Sequence, residues 1–174
     1  MNSLGSRIAF GIIAVVLGTS ISAEGQDLDK SLQMFDPLIG KSWIGHYVGR
    51  DEELDHFIRW EPILNGKAVR EIKDVPELGF SLERVYYYDW GLEQLSFLAL
   101  TSRGFISRGS ASLDEGRILL TGVSVRPDGS AGFRIAFEVT PEGLLQDRFY
   151  LKKGDTWDQR HLIEYSAKSA GADK

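Results

Sequence analysis

Arg59 and Glu61 stand two residues apart, and Arg70 follows them across a turn at Asn65 and Gly66. Guanidinium groups beside a carboxylate can hold the polar end of a small molecule, and among apolar neighbours they form the polar part of a ligand pocket. By the two-residue period of a strand, Phe57, Arg59, Glu61 and Ile63 share one face, while Ile58, Trp60, Pro62 and Leu64 share the other. If the charged face turns inward its charges must be paired, because an unpaired buried charge is costly. If it turns outward, these are ordinary cross-strand pairs worth about 0.2–1 kcal/mol each. Alternation leaves both directions open. Further candidates for an inward, ligand-holding face are Tyr86, with Arg84 and Tyr88 beside it, Arg108, Glu138 and Arg148.

The histidines, His46, His56 and His161, fall on three separate apolar runs with no His-x-His pair, so the spacing that marks a metal site is absent and no metal site is expected. His161 shares a face, by the same period, with Trp157, Gln159, Ile163 and Tyr165, which makes it a further ligand-binding candidate. Catalytic patterns are missing. The stretch from Asp128 to Gly132 has Asp where a Gly-x-Ser-x-Gly elbow has its first glycine, and its Pro127-Asp-Gly context reads as a turn. There is no cysteine nucleophile and no glycine-rich loop leading into a helix. The expectation is binding rather than catalysis, with no catalytic residue assigned.

What must position these residues is a series of strands. Asn65 and Gly66 tolerate the positive φ of a type I′ turn, so Leu54 to Leu64 and Lys67 to Val75 read as a hairpin. Similar runs follow between short turns: Phe80 to Asp89, Leu92 to Thr101, Phe105 to Leu113, Arg117 to Val125, Ala131 to Thr140, Leu144 to Lys152 and Thr156 to Ser166. With Ile44 to Gly49 at the start, that predicts ten strands. Links this short allow only antiparallel neighbours. An open sheet of that size would expose two edges and an apolar face, so the expected fold is all-β, a closed antiparallel up-and-down barrel of about ten strands. Leu28, Leu32 and Phe35 recur at helical spacing between Asp27 and Pro37, which predicts a short amphipathic N-terminal helix over one end.

The first residues read as an export signal: Arg7, an apolar core from Ile8 to Leu17, and small residues up to Ala23, after which cleavage is expected. The apolar run is about half the ~20 residues of a membrane-spanning helix, so no stable membrane anchor is expected after cleavage. The organisation expected is a signal peptide over 1–23, one barrel domain over 24–166 and a disordered tail over 167–174, in a periplasmic or secreted protein. The chain has no cysteine, so neither a disulfide nor a lipid-bearing cysteine is available. With 25 acidic and 20 basic residues and no basic run, nucleic acid is not an expected partner.

A short helix, then Leu38-Ile-Gly40 and Trp43, then a meander of this length, resembles the calycin superfamily of lipocalin-like barrels. Within it the chain is similar to small bacterial domains of unknown function and, more distantly, to nitrobindin-like barrels. The usual Gly-x-Trp is one residue longer here, Gly40 to Trp43. The resemblance implies structural roles for Trp43, plugging the closed end, and for Arg160 above it. The first functional expectation is a carrier that binds a small apolar or amphipathic molecule in the barrel, with Arg59, Arg70 or Arg148 holding an acidic head group and Glu61, Tyr86 and His161 as further ligand-binding candidates. From the nitrobindin-like relatives the resemblance implies an alternative, a haem or nitrogen-oxide binder with His161 as iron ligand. A third expectation is a packed barrel whose outer surface binds an envelope protein.

Overall fold

The computed structural model describes residues 27–51 and 54–168. The expected export signal and the last six residues lie outside them. Ten antiparallel strands form a closed barrel in simple sequential order: β1 (Ser42–Tyr47), β2 (His56–Ile63), β3 (Ala68–Val75), β4 (Phe80–Asp89), β5 (Gln94–Thr101), β6 (Ile106–Asp114), β7 (Arg117–Arg126), β8 (Gly129–Val139), β9 (Leu145–Lys153) and β10 (Thr156–Lys168). Stretches of β2, β4 and β7 alternate more and less buried positions, as one core-facing and one outer face require. Closure runs from Ser42 opposite Lys168 to Tyr47 opposite Ile163, which removes both sheet edges. β10 therefore extends two residues beyond its expected end, because Trp43 and Ser42 supply partners for Ala167 and Lys168.

The expected three-turn helix is a six-residue 3-10 helix, Lys30–Phe35, and its cap is Asp29 rather than Asp27. The Asp29 carboxylate accepts from the Ser31 backbone N–H at 3.1 Å. Three residues per turn bring Leu32 and Phe35 to the same side, where both are fully buried. With Leu38 and Trp43 they fill one end of the barrel, and the Phe35 ring lies 4.4 Å from that of Tyr86. Each such side chain contributes about 1.5–3 kcal/mol through burial.

The Asn65-Gly66 hairpin forms, but its loop has four residues, not two, since Ile63 pairs with Ala68. Leu64, Asn65 and Gly66 all take positive φ, 52°, 55° and 76°. The reason lies in the N-terminal segment. The Gly66 carbonyl accepts from the Asp29 N–H at 2.9 Å, and the Lys67 ammonium reaches the Asp29 carboxylate at 2.8 Å. A Cβ on Gly66 would collide with the Asp27 carbonyl oxygen. The loop is thus a left-handed clasp against the segment that closes the barrel.

Candidate functional site

The closed end leaves the other half of the barrel unfilled. A cavity of about 280 Å³ lies there, reaching the rim formed by the β3–β4, β5–β6 and β7–β8 connections. The interior is therefore not fully packed. Apolar side chains from β4, β8 and β9 line much of it, among them Leu82, Phe133, Ile135, Phe149 and Leu151. Polar groups enter from β2, β3, β4, β9 and β10, and their positions follow from strand parity.

On β3, Val69, Glu71, Lys73 and Val75 face inward between the outward Arg70, Ile72 and Asp74. Glu71 is 1 % exposed and meets Arg84 of the adjacent β4, whose guanidinium donates to it at 2.7 Å. The Tyr86 hydroxyl donates to the same carboxylate oxygen, and Arg84 donates to the Tyr86 oxygen at 3.1 Å. Burial drives the Tyr86 phenol well above its usual pKa. The Glu71 carboxylate reinforces that shift and Arg84 opposes it. Burial alone would lower the Arg84 pKa, but the Glu71 carboxylate, Tyr86 and Asp147 together outweigh it and the guanidinium stays charged.

Lys73 reaches across the interior to Asp147 on β9, Nζ to Oδ2 2.8 Å, with the Tyr165 ring 5.7 Å from the ammonium. Burial opposes ionisation of both partners, yet each holds the other charged: the net shift is up for Lys73 and down for Asp147. His56 and His161 stand nearby, both in edge contact with Tyr47 at 4.6 and 5.4 Å between ring centroids. His161 also stacks on Phe149 at 5.1 Å. Burial lowers both imidazoles to about 4, and the Lys73 charge adds to this, so both are neutral at pH 7.

Several of these groups keep unused hydrogen-bonding capacity. Both ring nitrogens of His56, 2 % exposed, have no hydrogen-bond partner among the described residues. Neither does Asp147 Oδ1 or Arg84 Nε. Buried polar atoms are rarely left so, and here they line one cavity. The arrangement can accept from and donate to a guest whose remaining surface is apolar.

Of the ligand-binding candidates read from the sequence, His161 and Arg84 line the cavity. Tyr86 points inward but below it, under Phe35. Arg59 is exposed on the outer face, beside a shallow hollow with Phe57, Asp74 and Phe80. Glu61 and Arg70 pair with each other outside, directly opposite in register, Nε to Oε1 2.6 Å. Arg148 is outside as well, donating to Glu138 at 2.8 Å and to Gln146. The inward face of β2 is the one carrying His56, Ile58 and Trp60.

Two expectations about β10 need correction. A bulge between Gln159 and His161 shifts the register, so Trp157 and Gln159 leave the face that His161, Ile163 and Tyr165 keep. Arg160 is the extra residue of that bulge. It is half exposed, bonded to Asp158 at 3.1 Å, and stands at the opposite end of β10 from Ala167, the partner of Trp43, so it does not cover that tryptophan. Trp43 itself is buried at the closed end, its indole N–H donating to the Leu38 carbonyl at 3.5 Å.

Sequence reading missed Glu71, Lys73, Asp147, Arg103 and Arg126. Glu71 and Lys73 share alternate positions with Val69 and Val75, a signal that both faces of β3 give equally. Among the described residues, no group of three or more His, Asp or Glu is placed to hold a metal ion. Compared with protein-family models and with curated proteins, the chain matches none.

Proposed function

We propose that this chain is an exported lipocalin-like barrel that binds a small amphipathic molecule in its interior. One observation carries the reading: a cavity of about 280 Å³ that joins apolar walls to buried, unpartnered polar atoms on His56, Asp147 and Arg84. A guest that satisfies those atoms recovers the hydrogen bonds they lack, while its apolar part is removed from water against Phe133 and Phe149. The scaffold suits the task, because the closed barrel holds the lining in place without a moving part.

Native mass spectrometry of the protein purified from its native host tests this. A retained mass of a few hundred daltons, released on denaturation, is the expected result, and a bare chain would overturn the reading. A second reading, a haem or nitrogen-oxide binder, is favoured by one observation, the inward neutral imidazole of His161. Against it stand the size of the cavity and the rings of Tyr47 and Phe149 already packed on that imidazole. A Soret band on adding haemin, lost in His161→Leu, would establish it; silence would dismiss it.

A further inference from the structure

The rim of the cavity carries two cations that no described residue neutralises. Arg103 lies over the Phe80 ring at 5.5 Å and Arg126 over the Phe105 ring at 5.2 Å. Neither makes an ion pair or hydrogen bond with another described residue, and Arg126 Nε is buried without a partner. A guanidinium seated on a ring face keeps its N–H edge free, and that edge matches the two oxygens of a carboxylate.

The inner end differs. There the charges of Lys73 and Arg84 are already matched by Asp147 and Glu71, and what remains is neutral His56 with the spare oxygen of Asp147. Such groups suit a hydroxyl, which can donate to either and accept in turn. Between rim and inner end the walls include the rings of Phe105, Phe133 and Phe149. A volume of about 280 Å³ falls just below the range of drug-sized pockets, about 300–1,000 Å³, so it accommodates a single ring with a short arm and not a long acyl chain.

We infer that the guest is a hydroxylated aryl acid. Its carboxylate sits between Arg103 and Arg126, its ring lies among the phenylalanines, and its hydroxyl reaches His56 and Asp147. This rests on the ligand-binding reading above and gives it a chemical class.

Titration calorimetry on the wild-type protein with three probes tests it: 3-(4-hydroxyphenyl)propionate, its methyl ester, and 3-phenylpropionate. The hydroxy acid is expected to bind most tightly. Loss of the charge or of the hydroxyl should each weaken binding by about tenfold or more, since a site built for a polar group is left unpaired without it. The double variant Arg103→Gln/Arg126→Gln should lose that preference for acid over ester, the larger loss falling on the acid, while its far-UV circular dichroism spectrum reports that the barrel is intact. Arg103→Gln alone, at an exposed position, serves if the double variant does not fold. Equal binding of acid and ester, an unchanged preference in the variants, or silence of all three probes would overturn the assignment. A retained mass in native mass spectrometry decides the broader reading separately.

Discussion

The Lys73 ammonium lies 2.8 Å from the Asp147 carboxylate across the interior of the barrel, joining β3 to β9, two strands that are not neighbours in the sheet. Both side chains are largely shielded, so each charge depends on the other. Lys73→Met leaves Asp147 as a buried, uncompensated anion and is expected to destabilise the fold by about 3–5 kcal/mol. The double variant Lys73→Met/Asp147→Leu should recover most of that. Urea midpoints of the three proteins check it; a double variant no better than the single one would mean the pair is not the coupling described.

Acidification should act through His56 and His161. Burial holds both near 4 in the folded chain, against 6.5 when exposed. Between those values the unfolded chain binds more protons than the folded one, so stability rises with pH across this window. It is lost as pH falls from 6.5 through about 4, and these groups remove no more below that. Denaturation midpoints from neutral pH down to pH 4 should decline, less steeply in His56→Leu. A flat profile would contradict the neutral, buried state of the two rings.

Gly66→Ala tests the clasp between the β2–β3 loop and the N-terminal segment. The position has φ 76°, and the added methyl would meet the Asp27 carbonyl oxygen, so a loss of about 1–3 kcal/mol is expected. Thermal unfolding reads it. Gly79→Ala is the control, at φ 55° but with open space around its Cβ, and should cost less.

The outer charges should be nearly silent. Glu61→Gln removes a half-exposed outer pair with Arg70 and is expected to change stability by less than about 1 kcal/mol, with the difference fading in high salt. Arg59→Ala and Arg148→Ala should leave ligand retention unaltered. A loss of bound mass in any of these would move the site to the outer face.

Much of the architecture was legible because turn chemistry and alternation are local. The run Phe80–Asp89 between Gly79 and Trp90 has the same bounds as the observed strand, and the other strands differ by a few residues at their ends. The direction of each face was not legible, for a physical reason. A barrel wall has two faces; on β3 each carries both apolar and charged side chains, and on β2 the charged face also carries Phe57 and Ile63, so period alone cannot choose. Arg84 lies on an alternating face with Tyr86, and that grouping survives in the structure. Asp147 gave no sign, because its partner Lys73 lies 74 residues away and the pairing exists only once the barrel closes. The bulge at Arg160 was hidden for a different reason, since one extra residue reverses parity without altering composition.

The central claim is that the interior, not the outer face, holds the guest. Ser107 lines the cavity on β6, and Ser107→Trp puts a large side chain into it from the wall while leaving the residues of both charged pairs unchanged. The most direct measurement is native mass spectrometry of this variant beside the wild type, each purified from the native host. The account predicts a retained small molecule on the wild type and a bare, folded chain for Ser107→Trp. The same mass retained by both would contradict it and place the ligand outside the barrel.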